Sequence, residues 1–160
     1  MKFVVSLLLI LLFSCSKSDK SVVNKVVGIQ IYDGFPKEKA IVLAQEVTKF
    51  YKIKTFILPE IELPKQAFVN IKSPRYRADS IITIQNRTIN DSLDFVLGLT
   101  HKDISITKHD IKGNIKEPKW KYNDFGVMGL AYWPGKSSIV SSFRLKHKDK
   151  SLEFSRLKKV

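Results

Sequence analysis

The sequence is poor in the residues that most enzymes use for chemistry. Its 160 residues include one cysteine and three histidines. A lone thiol excludes an internal disulfide framework and any cysteine-based zinc cluster. His101, His109 and His147 never form the His-Glu-x-x-His spacing that puts two ligands on one helix face. There is no Gly-x-Ser-x-Gly elbow and no Gly-x-x-x-x-Gly-Lys phosphate loop. Glu60 and Glu62 stand two apart beside prolines and read as loop residues, so they do not form an acid–base pair. Negative charge is scarce as well, with 15 Asp and Glu against 28 Lys and Arg, a formal net charge of +13. No apolar run reaches the roughly 20 residues of a membrane-spanning helix. The remainder, 44% hydrophobic and 27% charged, suits one globular domain with a real core.

The amino terminus has a clear pattern. Lys2 is followed by an unbroken run of apolar and small residues from Phe3 to Phe13. A basic start, a short apolar core and small residues after it make an export signal. Leu12-Phe13-Ser14-Cys15 resembles a bacterial lipobox. That resemblance implies removal of residues 1–14 and lipidation of Cys15, which would also account for an unpaired thiol in an oxidising compartment. Residues 15–25, rich in Ser, Lys and Asp, read as a flexible tether. The expected location is the bacterial cell envelope, held by lipid on the periplasmic or surface side. From Cys15 on, 27 basic residues face 15 acidic ones, a charge of +12. Half of it falls in residues 136–160. In an exported protein this basicity reads as a surface for anionic polymers or lipids, and nucleic acid is not an expected partner.

Residues 26–160 read as the folded domain. Val26 to Tyr32 is a β-rich run closed by Asp33-Gly34, a turn signal. Pro36 suits the first turn of a helix. Ala40, Leu43, Ala44, Val47, Phe50 and Tyr51 recur at helical spacing. Ile53 to Leu58 is a second strand, and strand–helix–strand is the unit of a sheet with a crossover helix. Ser73-Pro74 reads as the cap and first residue of a short helix carrying Tyr76, Ala78, Ile81 and Ile82, while Ile82-Thr83-Ile84 reads equally well as strand. Asp94 to Thr100 is nearly all apolar and predicts a central strand. His101 to Lys121 reads as a long polar loop. Its His101, Asp103, His109 and Asp110 are read as solvated, because zinc needs three or four ligands converging at about 2.0–2.3 Å. Phe125 to Trp133 and Ser138 to Leu145 are apolar-rich runs around Pro134-Gly135, and the second alternates with period two. Ser151 is placed as the cap of a last helix with Leu152, Phe154, Leu157 and Val160.

Several blocks, in this order, resemble the archaemetzincin-like zinc protease family. They are Arg75-Tyr76-Arg77-Ala78-Asp79-Ser80-Ile81, Leu97-Gly98-Leu99-Thr100 with Asp103-Ile104, Phe125 to Ala131, and Ser138 to Leu145. The resemblance implies an α/β fold: a zincin-like, mixed and twisted sheet of about five strands with packed helices. In that family the chain runs on into a helix bearing His-Glu-x-x-His-x-x-Gly-x-x-His, where zinc activates a water for peptide hydrolysis. Ser151 to Val160 looks like the start of that helix. The 160 residues contain neither the motif nor the family's structural cysteines, so no catalytic or metal-ligating residue is carried over.

The resemblance thus implies an N-terminal zincin-like subdomain without its lower subdomain, inactive by itself, from a peptidase that uses zinc and acts on peptide or protein substrates. It further implies that the segment around Gly129, Leu130 and Ala131 is an edge strand, along which substrate lies extended and antiparallel. The alternative is a non-enzymatic envelope lipoprotein, a binding or structural module. The sequence leaves the oligomeric state open.

Overall fold

The computed structural model describes residues 25–160. Cys15 and the signal lie outside the described residues, as does all of the tether but Lys25. The architecture is mixed α/β. A five-stranded sheet contains β1 (Val26–Ile31), β2 (Lys54–Ile57), β5 (Phe95–Thr100), β8 (Gly129–Ala131) and β9 (Ser137–Ser141), in the order β2-β1-β5-β9-β8. The first four strands run parallel, and β8 runs antiparallel to β9. Apolar β5 lies at the centre of this order, as its composition predicts.

The crossover helix α1 (Lys37–Tyr51) buries Ala40, Leu43 and Ala44 against the sheet. Pro36 is its N-cap and not its first residue, and Lys52 closes it in the left-handed region with its N–H on Thr48 C=O. The expected apolar stripe ends early. Phe50 and Tyr51 project into solvent, edge to face with centroids 4.8 Å apart. Helix α4 (Lys150–Leu157) lies on the same side, where Leu157 joins Ile29, Ile31, Leu43 and Leu99 in one core. Its cap is Asp149, whose carboxylate accepts from the Ser151 N–H at 2.8 Å and from the Ser151 hydroxyl at 2.7 Å. The expected cap, Ser151, therefore serves as a donor to the actual one. The second core, on Ile81, Ile82, Ile104 and Ile139, joins helix α2 (Ala78–Thr88) to the inner strand β9. Burying each such side chain contributes about 1.5–3 kcal/mol.

Three expectations fail in the region between the strands of the large sheet, all for one reason. A second, four-stranded sheet stands there, in the order β3-β4-β6-β7. Its strands are β3 (Phe68–Asn70), β4 (Pro74–Arg77), β6 (Ile104–Ile106) and β7 (Phe125–Val127). Pro74 opens strand β4 and not a helix; the helix begins at Ala78. The expected loop from His101 contains β6 and a four-residue helix, α3 (Lys119–Tyr122). The apolar run from Phe125 is two strands in two sheets, with Met128 between them. Likewise the alternating run from Ser138 ends as a strand at Ser141 and continues as a 3₁₀ turn over Phe143–Leu145.

The small sheet is tied to its surroundings by charge. Asp103 Oδ2 accepts from Arg75 Nε at 2.7 Å and from Arg144 Nη2 at 2.9 Å. Asp124, 1% exposed, pairs with Arg75 Nη1 at 3.0 Å and lies 3.9 Å from Arg77. The solvated position expected for Asp103 is not found; the residue is buried, because two guanidiniums compensate its charge. Gly126 is part of this arrangement. A Cβ there would collide with the Arg144 guanidinium, so only glycine leaves room for the Arg144–Asp103 pair.

Candidate functional site

The structure places Gly129, Leu130 and Ala131 on β8, the outer strand of the large sheet. The pairing register sets which backbone groups are free. Gly129 is opposite Val140, Leu130 opposite Ile139 and Ala131 opposite Ser138. The Ser141 N–H donates to Met128 C=O at 2.7 Å, which makes 128 and 141 a hydrogen-bonded pair. Antiparallel ladders alternate, so Leu130 and Ile139 form the next bonded pair. The N–H and C=O groups of Gly129 and Ala131 then point away from the sheet. Two donors and two acceptors are thereby presented along one edge, the pattern that an added strand requires.

The side chains sort by the same alternation. Leu130 packs into the core of α2 and Ile139. Gly129 and Ala131 instead border a groove of about 440 Å³ on the α1–α4 face. Leu97 and Val140 contribute to its floor, and Leu43, Leu157 and Val160 to its sides. Lys158 is the one charged residue in its lining. A Cβ on Gly129 would come within 3.2 Å of Ile139 C=O and 3.3 Å of the Val160 side chain. Glycine therefore keeps the groove open next to the edge. Helix α4 is held at the groove by Glu153, which bonds Lys39 of α1 at 3.3 Å and Lys150 at 3.1 Å. These lysines, Lys150 first, hold the Glu153 carboxyl below its ordinary value.

This arrangement can hold an extended, apolar chain by backbone hydrogen bonds and side-chain burial. It offers no acid–base pair. The residues present do not fit zinc: no group of three or more His, Cys, Asp and Glu able to hold a metal ion occurs among the described residues. The histidines lie elsewhere. His101 lines a separate cavity with Phe68, Tyr76 and Phe143, and burial lowers its pKa. His109 bridges to Ile115 in an exposed hairpin. His147 Nδ1 accepts from the Asp149 N–H at 3.1 Å. Sequence reasoning identifies the edge segment but misses the groove walls. Leu157 is visible only as helix-periodic, and nothing local announces that it approaches Val140 and Leu43.

No protein-family model matches the chain, and no curated protein matches it. Solved structures do. An archaemetzincin from Methanopyrus kandleri is 22% identical with a TM-score of 0.63, over 85% of this chain and 68% of that one. The archaemetzincin from Archaeoglobus fulgidus, solved with malonate, is 23% identical with a TM-score of 0.60, over 82% of this chain and 70% of its own. A zinc-dependent peptidase from Methanocorpusculum labreanum follows at 16% identity and a TM-score of 0.56, over 83% and 75%. The fold of this chain is archaemetzincin-like.

Proposed function

We propose that residues 26–160 form the substrate-strand half of an exported metallopeptidase of the archaemetzincin type. The observation that supports this reading best is β8, an antiparallel outer strand with the amide and carbonyl groups of Gly129 and Ala131 turned outward above an apolar groove. A peptide or protein substrate lies extended and antiparallel along it, and alternate side chains enter the groove. The archaemetzincin-like fold supports the same reading, since the solved neighbours are described as archaemetzincins and a zinc-dependent peptidase. Zinc and the general base belong, in this reading, to residues beyond these 160, which by themselves do not hydrolyse peptides. Lipid on Cys15 holds the protein at the membrane of the cell envelope.

Three measurements test the proposal. The coding sequence beyond the Val160 codon is read in all three frames; a His-Glu-x-x-His-x-x-Gly-x-x-His run shortly after it supports the peptidase, and its absence removes that part. Ala131→Pro deletes an outward amide that makes no bond to β9, a change that outer strands tolerate. Peptide binding by the full chain is expected to fall while its thermal unfolding stays put; unchanged peptide binding would sink the edge-strand role. Binding without a downstream motif would leave the non-enzymatic envelope module. Finally, Cys15→Ser is expected to release the protein from membranes washed at high salt, which screens surface lysines, and a protein that stays bound through that wash contradicts the lipid anchor.

A further inference from the structure

The excess of positive charge is not confined to the segment where the sequence count places half of it. Of the basic residues in 136–160, Arg144, Lys150 and Lys158 are paired with Asp103, Glu153 and Glu46. Lys136, Lys146, Lys148, Arg156 and Lys159 have no carboxylate partner among the described residues, and a second group of unpaired cations lies on the excursion between β6 and β7. Residues 107–123 carry five lysines against Asp110 and Glu117. Both carboxylates are exposed and accept hydrogen bonds from backbone N–H groups of the same segment. Asp110 Oδ1 accepts from the Lys112 N–H at 2.8 Å and the Asn114 N–H at 3.0 Å. Glu117 accepts from the Lys119 N–H at 3.0 Å. None of Lys108, Lys112, Lys116, Lys119 and Lys121 has a carboxylate partner among the described residues, nor does Lys72, which reaches the same lobe.

The lobe is a built surface. The Lys108 N–H donates to Tyr122 C=O and the Lys116 N–H to Lys108 C=O, both at 2.9 Å, which closes hairpin and helix α3 on each other. Lys72 Nζ donates to Lys121 C=O at 2.8 Å and lies 5.8 Å from the Trp120 ring. Lys116 and Lys121 both approach the Tyr122 ring, at 5.5 and 5.3 Å. Beside these cations stand large apolar groups with no protein cover. Ile111, at the hairpin tip, is fully exposed, and Trp120 is 75% exposed.

We propose that the 107–123 lobe is a docking surface for an anionic lipid bilayer, with Trp120 and Ile111 entering the headgroup region and the unpaired lysines on lipid phosphates. Charge alone would equally suit an acidic polymer. The uncovered Ile111 and Trp120 decide for lipid, because an aliphatic tip and an indole gain free energy at the headgroup–acyl boundary and nothing from a hydrated polyanion. Juxtaposed lysines add attraction to anionic lipids one by one. This surface is independent of β8, and neither reading depends on the other.

The test uses the full chain on phosphatidylcholine vesicles with and without phosphatidylglycerol. The amino-terminal apolar run is common to every protein compared, so the ratio of affinities for the two vesicles is the quantity read. Changing Lys112, Lys116, Lys119 and Lys121 together to Gln is expected to lower the affinity for anionic vesicles by roughly 100-fold or more. The same number of charges removed elsewhere, at Lys37, Lys49, Lys52 and Lys54, is expected to keep most of it. In a Trp133→Phe background, Trp120 emission is expected to shift to the blue on anionic vesicles and to be quenched by brominated lipid. Equal losses from both lysine sets would overturn the proposal, as would unmoved Trp120 emission. Capture by poly-glutamate without any vesicle binding would also overturn it.

Discussion

Within the five-stranded sheet, Ile29, Leu99 and Ile139 are fully buried beside the uncharged Thr100, Ser137 and Ser141; at the small sheet, the charged Asp124 and Asp103 are buried with Ser105 and Ile104. Both regions exclude water, by different means. The large sheet gains from apolar area removed from water, a term that depends little on geometry. At the small sheet, three arginines converge on two aspartates, an arrangement that is favourable only while every partner is present. Its strands are three or four residues long and could not be held by backbone ladders alone. The difference predicts that the two regions fail differently.

The largest effect is expected at Asp124. Asp124→Ala leaves Arg77 buried without a carboxylate and Arg75 with Asp103 alone, and should cost about 3–5 kcal/mol in urea unfolding. Leu99→Ala, at the centre of the large sheet, should cost about 2–5 kcal/mol through lost transfer energy and a cavity. The two are distinguishable by rescue. Leu99→Met should recover most of the loss, because volume suffices there, whereas Asp124→Leu should not, because Arg77 stays without a carboxylate and Arg75 keeps Asp103 alone. A rescued Asp124→Leu would show that the small sheet is held like the large one.

A coupled pair gives the next effect. Gly126→Ala places a methyl group where the Arg144 guanidinium lies. It should therefore be costly with Arg144 present and much cheaper after Arg144→Ala. A double-mutant cycle is expected to return a coupling of about 1–2 kcal/mol. Additive losses would mean that glycine serves the strand and not the arginine.

These contrasts explain what can be read from the sequence. Strand β1, helix α1, strand β2 and strand β5 are legible because apolar burial leaves a period of two or 3.6 in the chain. The small sheet leaves no such trace. Arg75, Arg77, Asp103 and Asp124 look polar and therefore solvated, and their compensation is a matter of contacts some 30 to 50 residues away. Pro74 looks like a helix start for the same reason: the neighbour that makes it a strand, β6, hides in an apparent loop. At the candidate site the family resemblance marks Gly129, Leu130 and Ala131 as an edge. Its outward groups need the register, and its groove needs the approach of α4.

Glu153 brings charge to the apolar side of the molecule. Its carboxyl is held below the ordinary 4.5 by hydrogen bonds from Lys150 and Lys39. A lowered carboxylate pKa contributes stability that is present above 4.5 and lost as pH falls through the folded value. Acid should therefore loosen α4 from α1 in the wild-type chain, and Glu153→Gln should flatten the acid limb of stability below pH 4.5. An unchanged acid limb would mean that Leu157 alone holds the helix.

The smallest effect separates the two regions by pH. His101 follows β5 and faces Phe68, Tyr76 and Phe143, on the small-sheet side of the molecule. Its Nδ1 is buried without a hydrogen-bond partner among the described residues. Burial, and next the charge of Lys102, lower its pKa from 6.5. For a base, a lowered folded pKa means that the unfolded chain takes up the proton first. Stability should then decline as pH drops below 6.5, level off under the folded pKa, and decline again in the separate acid window of Glu153. Thermal unfolding of His101→Gln, followed from pH 8 to pH 3, should lack the first decline and keep the second. A wild-type chain that is flat between pH 6.5 and 5 would mean that the ring is charged within the fold, and that the small-sheet side accommodates a cation at His101 as readily as it does at Arg75.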